Sequence, residues 1–581
     1  MGSAKRLLGF GNIPDIDARF VSTMSGRFTM IRTRVIALVS AATLLSSPHG
    51  AIAQGASASL PVPRYEGLGG LARKVTTASP EAQAYFNQGL AFLYAFNHDE
   101  AIRAFQRAAE IDPTCAMAFW GLALAKGPHI NNMAVPGENE KTAWEAVAKA
   151  RALATNGTPI EKDLIGALST RYADPQPADR AELNQAYAAA MRKVWMANPK
   201  DADVGALFAE SLANLRPWDL WLPDGKPQPG TEELVATLDS VLAVDSSHPL
   251  ANHLMIHAVE ASPHPEKADR AADALRDLQP GLGHMVHMPS HIDIRRGRWQ
   301  KGIVANEKAI EADRRYAAKA PEQGFYRLYM SHNYHMLTYA AMMTGQSALA
   351  LKTIEDMVAD IPLEFFKENP WADGLMAAPL EVLMRFGRWD EILARPLFPD
   401  FAPISRAIQH YARAVSYTAR EDVPNAIKEQ SAFAEARARV PKEATFGNNT
   451  GSDLLDVAEW LMKGEILFRS GKVEDGLAAL REAVVREDKV RYDEPPDWIQ
   501  PTRHPLGAAL LQAGRFEEAE AVFRADLAKL PGNGWGLYGL GRALRLQKKD
   551  AEAKGYEKEF EEVWRNADIK IRSACLCLPG V

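Results

Sequence analysis

Apolar residues recur along this chain at the three- and four-residue spacing of amphipathic helices, and strand-like alternation is scarce, so essentially no sheet is expected. Between 82 and 113 the pattern resolves into two helices joined by a turn. Gly89 and Phe92 fall on the first, Ala101, Phe105 and Ala108 on the second, and Pro113 beyond its end. The order returns as Gly507, Leu510, Gly514, Ala519, Phe523 and Pro531, and 34 residues later as Gly541, Leu544 and Ala553. Upstream, Trp460, Gly464, Leu467, Gly471, Gly476, Leu480 and Ala483 keep the same spacing. From Gly464 to Gly507 is 43 positions, so an insertion separates these units. It contains Tyr492-Asp493-Glu494-Pro495-Pro496-Asp497-Trp498, a proline-stiffened loop.

These residues match a 34-residue helical-hairpin template, with a small residue at position 8, Ala at 20 and 27, a large apolar residue at 24 and Pro at 32. The chain therefore resembles the tetratricopeptide-repeat (TPR) superfamily over roughly 80–570. The resemblance implies an all-α, TPR-type solenoid with negligible β structure. The middle fits more loosely. From Pro249 as position 1, Ala268 and Pro280 fall at 20 and 32; from Gly283, Gly297 falls at 15 and Ala309 at 27; from Ser331, Gly345 falls at 15 and Ala350 at 20. The expected organisation is an unassigned leader 1–29, a signal segment 30–53, an extended stretch 54–80, TPR and degenerate helical repeats 81–248, His-rich repeats 249–352, degenerate repeats 353–456, TPR repeats 457–570 and a tail 571–581. Because each hairpin buries its stripe on its neighbours, one superhelix is expected rather than separate domains.

Composition narrows the function. Charged residues make up 24% and net charge is −6, without long basic runs, which argues against a nucleic-acid partner. Arg32 and Arg34 precede an apolar run, Val35–Leu45, followed by Ala51-Ile52-Ala53. That is the pattern of a cleaved secretory signal, so a periplasmic or secreted protein is expected, N-terminally anchored if the segment is retained. No other segment is long and apolar enough to span a membrane. Cys115, Cys575 and Cys577 are the three cysteines. The last two are too close in sequence for an ordinary disulfide; their tail could bind a metal, but it reads rather as frayed.

Eight of the fourteen histidines lie between 253 and 335. The register, set without them, puts seven on positions 2, 5 and 9 of first helices, the face that lines a TPR groove. They are His253, His257, His284, His287, His291, His332 and His335, with Glu260 at position 12 and Tyr339 at position 9 of its own unit. His264 falls in a turn. Imidazoles at i and i+4, as in His253/His257 and His287/His291, can ligate one ion together. An imidazole-rich set with one carboxylate suits Cu, Zn or Fe better than Mg or Ca. Seven imidazoles exceed one tetrahedral site, so two ions are conceivable, with Glu260 or one histidine as a general base. A polar groove for an anionic or aromatic ligand, or a hydrogen-bonded ladder that only stiffens the solenoid, remain alternatives.

His129, Asn131, Trp218, Asp219 and Trp221 sit on long loops and are candidate pocket residues; core packing and helix capping are the competing readings. Met285 and Met288 read as core. No metalloprotease, nucleophile-elbow or phosphate-loop motif occurs. The segments His253–Glu260, His287–His291 and Ser331–His335 resemble those of a subgroup of large exported bacterial TPR proteins. The superfamily implies a protein or peptide bound in the concave groove, whereas histidine stands where a carboxylate clamp would need Lys, Arg and Asn. Two functions are therefore carried forward: a metal-binding, conceivably catalytic solenoid acting on a small ligand, and a non-catalytic scaffold for a protein partner in the cell envelope.

Overall fold

The computed structural model describes residues 62–578. The expected leader, the signal segment and residues 54–61 lie outside the described residues. The rest is an all-α, TPR-type solenoid. Its only strands among the described residues are Thr445–Phe446 and Asn449–Thr450, paired antiparallel.

Local sequence explains the hairpins. Helix Pro80–Tyr94 starts at Ser79, whose side chain accepts from the Ala82 N–H, and at Pro80, whose missing N–H is harmless in a first turn. Helix His98–Ile111 starts at Asn97, whose side chain accepts from the Glu100 N–H. Glycine permits their close crossing. A Cβ at Gly89 would come within 2.7 Å of the Phe105 ring, and one at Gly121 within 2.5 Å. The ring is therefore clamped between two bare backbones. Gly507 and Gly539 hold Phe523 in the same way, with a closest approach of 2.3 Å at each.

In the central units, Pro249–Val259 forms one unbroken helix, but the next first helix is split into Gly283–His287 and Pro289–Arg295. Pro289 interrupts it because it cannot donate to the ladder. The helix carrying His332 and His335 runs Tyr326–Met343, beginning ahead of the Ser331 start that the register predicts. Ala378–Arg385 and Trp389–Ala394 form a short hairpin, with Gly387 at φ 66° in its turn. Residues 127–248 are helices joined by long loops.

The solenoid closes on itself, where the sequence suggests an open groove. Trp299 Nε1 donates to the Pro531 carbonyl at 2.9 Å, and Trp535 Nε1 to the Met342 carbonyl at 2.8 Å. Asp568 accepts from the Ser347 and Ala348 N–H groups, both at 2.8 Å. The segment before the first helix is tied down as well, with the Gly281 N–H donating to the Gly67 carbonyl at 2.8 Å and Arg73 pairing with Asp201 at 2.9 Å. Large apolar rings sit at these seams, so closing them removes more apolar surface from water than an open curve would.

The tail corrects an expectation. Ala574 and Leu578 are fully buried in the C-terminal core, so this stretch is docked rather than frayed. Cys575 and Cys577 are joined as a disulfide, although they are only two residues apart. Among the described residues no helix is long and apolar enough to cross a membrane.

Candidate metal centre

Helices on three successive units deliver the imidazoles. His253 and His257 come from Pro249–Val259, His284 and His287 from Gly283–His287, His291 from Pro289–Arg295, and His332 and His335 from Tyr326–Met343. Asp313 fixes part of this arrangement. It accepts from Tyr326 Oη at 2.9 Å and Asn333 Nδ2 at 2.7 Å, while Tyr326 Oη accepts from the His284 N–H at 3.2 Å. A Cβ at Gly283 would lie 2.0 Å from the Asp313 carboxylate, so only glycine fits there. Five of the seven imidazoles are buried, His253 and His287 at 0% exposed and His257 at 9%, while His332 and His335 are partly exposed.

They form two sets of three. One nitrogen from each of His253, His257 and His284 lies within 4.8 Å of the others, and the same holds for His287, His291 and His332. Hydrogen bonds fix several of the protons. His253 Nδ1 lies 2.8 Å from the Tyr94 carbonyl, which can only accept, so Nδ1 carries hydrogen and Nε2 a lone pair. His257 Nδ1 lies 2.9 Å from Glu260 Oε1, and its buried Nε2 has no hydrogen-bond partner. His287 Nδ1 lies 2.7 Å from Asn306 Oδ1. The Asn306 amide is oriented by donating Nδ2 to the Gly302 carbonyl at 2.8 Å.

The outward nitrogens converge. His253 and His284 approach Nε2 to Nε2 at 3.2 Å, His287 and His291 at 2.8 Å, and His291 and His332 at 3.5 Å. On its other side, His291 Nδ1 lies 2.8 Å from both Glu260 Oε2 and Glu494 Oε2, in ion-pair contacts rather than aligned hydrogen bonds. Glu260 thus stands behind the rings, with one oxygen on each set.

Burial keeps His253, His284, His287 and His332 well below the ordinary imidazole range, helped by their ring neighbours, so they are neutral. His291 differs. Burial disfavours its charge, but Glu260 and Glu494 overcome this and raise it to about 10. Burial works against charge on Glu260 too, yet His257 and His291 hold it below the usual carboxylate range. Burial pushes Glu494 up to about 7 against the opposing pull of His291.

The other expected residues separate. His335 lines the same cavity but belongs to neither set, and burial lowers it to about 4. Asn131 Oδ1 accepts from Trp218 Nε1 at 3.0 Å, and Trp218 stands edge-on to His257 at 5.6 Å. Trp221 Nε1 donates to the Ala258 carbonyl at 2.8 Å, Asp219 pairs with Arg216 at 3.1 Å, and Tyr339 is fully buried against Trp299; these three line a neighbouring cavity. His129 is buried and stacked on His98 at 4.1 Å. His264 is exposed, as its turn position implies, and Met285 and Met288 are core.

Sequence reasoning missed four contributors. Glu494, Asp493 and Asp497 arrive on the proline-stiffened insertion and line the cavity with the histidines. Their signal was an insertion carrying three carboxylates within five residues. Phe96 is the fourth. It sits at φ 57° in the first hairpin's turn, where other units place Gly345, Gly387, Gly471 or Gly514. Its ring lies 4.3 Å from His253 and stacks on His257 at 6.1 Å.

Two cavities meet here, of about 330 and 530 Å³. They share Trp218, His257, Asp493 and Glu494 as a common wall.

Residues 82–115 match the family model of the tetratricopeptide repeat. No curated protein matches the chain. Among solved structures, it is similar to the human IFIT1 dimer with m7Gppp-AAAA, at 13% identity and TM-score 0.29, covering 85% of this chain and 92% of that one. It is also similar to yeast Tom70, at 11% identity and TM-score 0.27, covering 83% and 90%. A third is the APC/C hetero-tetramer Cut9-Hcn1, at 12% identity and TM-score 0.26, covering 84% and 94%. The RNA and the partner chains in those structures are theirs.

Proposed function

Taking a tetratricopeptide-type solenoid with an imidazole-lined interior as the starting point, we propose that this protein holds one or two transition-metal ions between its central repeats and presents them to a small ligand. One observation carries the reading. Ring nitrogens of different histidines face one another at 2.8 to 3.5 Å, while a carbonyl, a carboxylate and an amide oxygen stand on the Nδ1 side of His253, His257 and His287 respectively. Such orienting partners behind the ring are what metal-bound imidazoles use. Two nitrogens on one tetrahedral ion lie about 3.3 Å apart, given Zn–N bonds of ~2.0–2.1 Å. The observed separations of 2.8, 3.2 and 3.5 Å bracket that value.

His253, His257 and His284 would hold one ion, and His287, His291 and His332 the other, His291 giving up its Nε2 proton as the ion binds. Three protein ligands each leave a position open, which favours a reactive site over a sealed structural one. Imidazole donors suit Zn, Cu or Fe. Bound there, such an ion supplies Lewis acidity and an activated water, or oxygen chemistry. Glu260 would orient His257 and His291 rather than act as a free base. Residues 30–53 support a periplasmic or secreted setting.

Elemental analysis of the full chain, purified without chelator from metal-supplemented cells, tests the proposal beside a His257→Ala/His287→Ala variant that removes one ligand from each set. About one to two equivalents of Cu, Zn or Fe are expected in the parent, with loss in the folded variant. Absence of metal from both, with both folded, overturns it and leaves the stiffening ladder and a scaffold for a protein partner.

A further inference from the structure

We infer that the smaller cavity is built to take a small organic ammonium ion with an apolar body, such as an arylalkylamine. This rests on the reading above of the cavity as the ligand side of the centre. The first ground is the acidic lining. Among the described residues no lysine or arginine lines this cavity, whereas Asp493, Glu494 and Asp497 do. Glu260 and Glu494 already flank His291, each with an oxygen 2.8 Å from its Nδ1. On the wall made by Asp493, Glu494 and Asp497, an anionic ligand would meet carboxylates with no lysine or arginine to pair it.

The second ground is an unsatisfied group. Glu494 is 4% exposed, and its Oε1 has no hydrogen-bond partner. An ammonium donor in the cavity would supply one, relieving the cost of a buried unpaired oxygen. Asp493 and Asp497 are held side by side, since the Asn448 N–H lies 3.1 Å from Oδ2 of each. Asn449 Nδ2 donates to Asp497 at 2.7 Å, which locks the pair to the short strand hairpin.

The third ground is the rest of the wall. Trp218, Phe325, Tyr329, Trp371 and Phe446 offer ring surfaces around the same space. Aromatic faces attract organic cations and cover their apolar parts. A volume of about 330 Å³ is at the small end for ligand cavities, matching a one- or two-ring molecule.

Titration calorimetry with phenethylamine, 2-phenylethanol and phenylacetate tests this, because the three share a ring and differ in charge. Each is titrated into the full-length parent and into the metal-free His257→Ala/His287→Ala variant. Phenethylamine is expected to bind both proteins at least about tenfold more tightly than phenylacetate, with the alcohol between. Asp497→Asn should collapse that preference. Trp371→Ala, at a half-exposed position where folding is not at stake, should weaken all three ligands together. Equal or tighter binding of phenylacetate to the metal-free variant, or no binding of any probe at millimolar concentration, overturns the inference. Amine preference without metal in the parent overturns only the metal reading; metal without amine preference overturns only this one.

Discussion

At the scale of single residues, the centre depends on groups that hold protons in place. Asn306 has no contact with the converging nitrogens, yet it determines which nitrogen of His287 is bare. If the proposed ions bind, Asn306→Leu should weaken their affinity about 10–100-fold while the fold persists, measured by competition with a chromogenic chelator. Phe96 shows a different trade. A left-handed backbone costs a non-glycine residue about 1–2 kcal/mol, and the ring's burial against His253 and His257 outweighs it. Phe96→Ala should destabilise by about 3–5 kcal/mol, seen as a lower denaturant midpoint. Phe96→Gly should recover part of that loss by relieving the backbone. The seven histidines were legible in the sequence because side-chain direction on a helix follows from spacing alone. Phe96 was not, because a large residue at a glycine turn looks like drift until its neighbours are known.

At the scale of elements, two devices matter. The first is the glycine–phenylalanine clamp. Gly507→Val should push Phe523 out of its slot and loosen the C-terminal hairpins first, since the Phe523 ring would have to move. Hydrogen exchange should show protection falling over 503–546 while the central helices keep theirs. The second is the insertion between repeats. Because it carries Glu494, Glu494→Gln removes one of two carboxylates on His291 Nδ1. On the proposed metal reading, affinity for the ion should fall in that variant, with Asp493 and Asp497 still present as an internal comparison. The insertion's length was plain from the broken 34-residue spacing. Its destination was not, because a loop has no periodicity to give it a face.

At the scale of the whole molecule, long-range contacts convert a curved array into a closed body. The network around Asp203 is one of them. Arg73 lies 3.0 Å from it, Tyr94 Oη donates at 2.7 Å and His248 Nε2 lies at 3.1 Å. Burial opposes charge on Asp203, but His248, Arg73 and Tyr94 hold its carboxyl below the usual carboxylate range. A depressed carboxylate stabilises the fold above its unfolded value of about 4, and that stability is lost as pH falls through the folded value. The thermal midpoint of the parent should therefore drop more steeply below pH 4 than that of Asp203→Asn, which should already be lower at pH 7. Calorimetry across pH 3–7 reads both; parallel curves would show that Asp203 contributes nothing.

Spacing alone determined the helical hairpins, the glycines at their crossings, and the face on which the central histidines lie, because helical geometry is local. Closure decided the rest. Contacts such as Trp299 to Pro531 and Trp535 to Met342 join residues more than 190 positions apart, and no periodicity encodes them. Those contacts turn the groove into an interior, bring Glu494 to His291, and leave imidazole nitrogens facing one another.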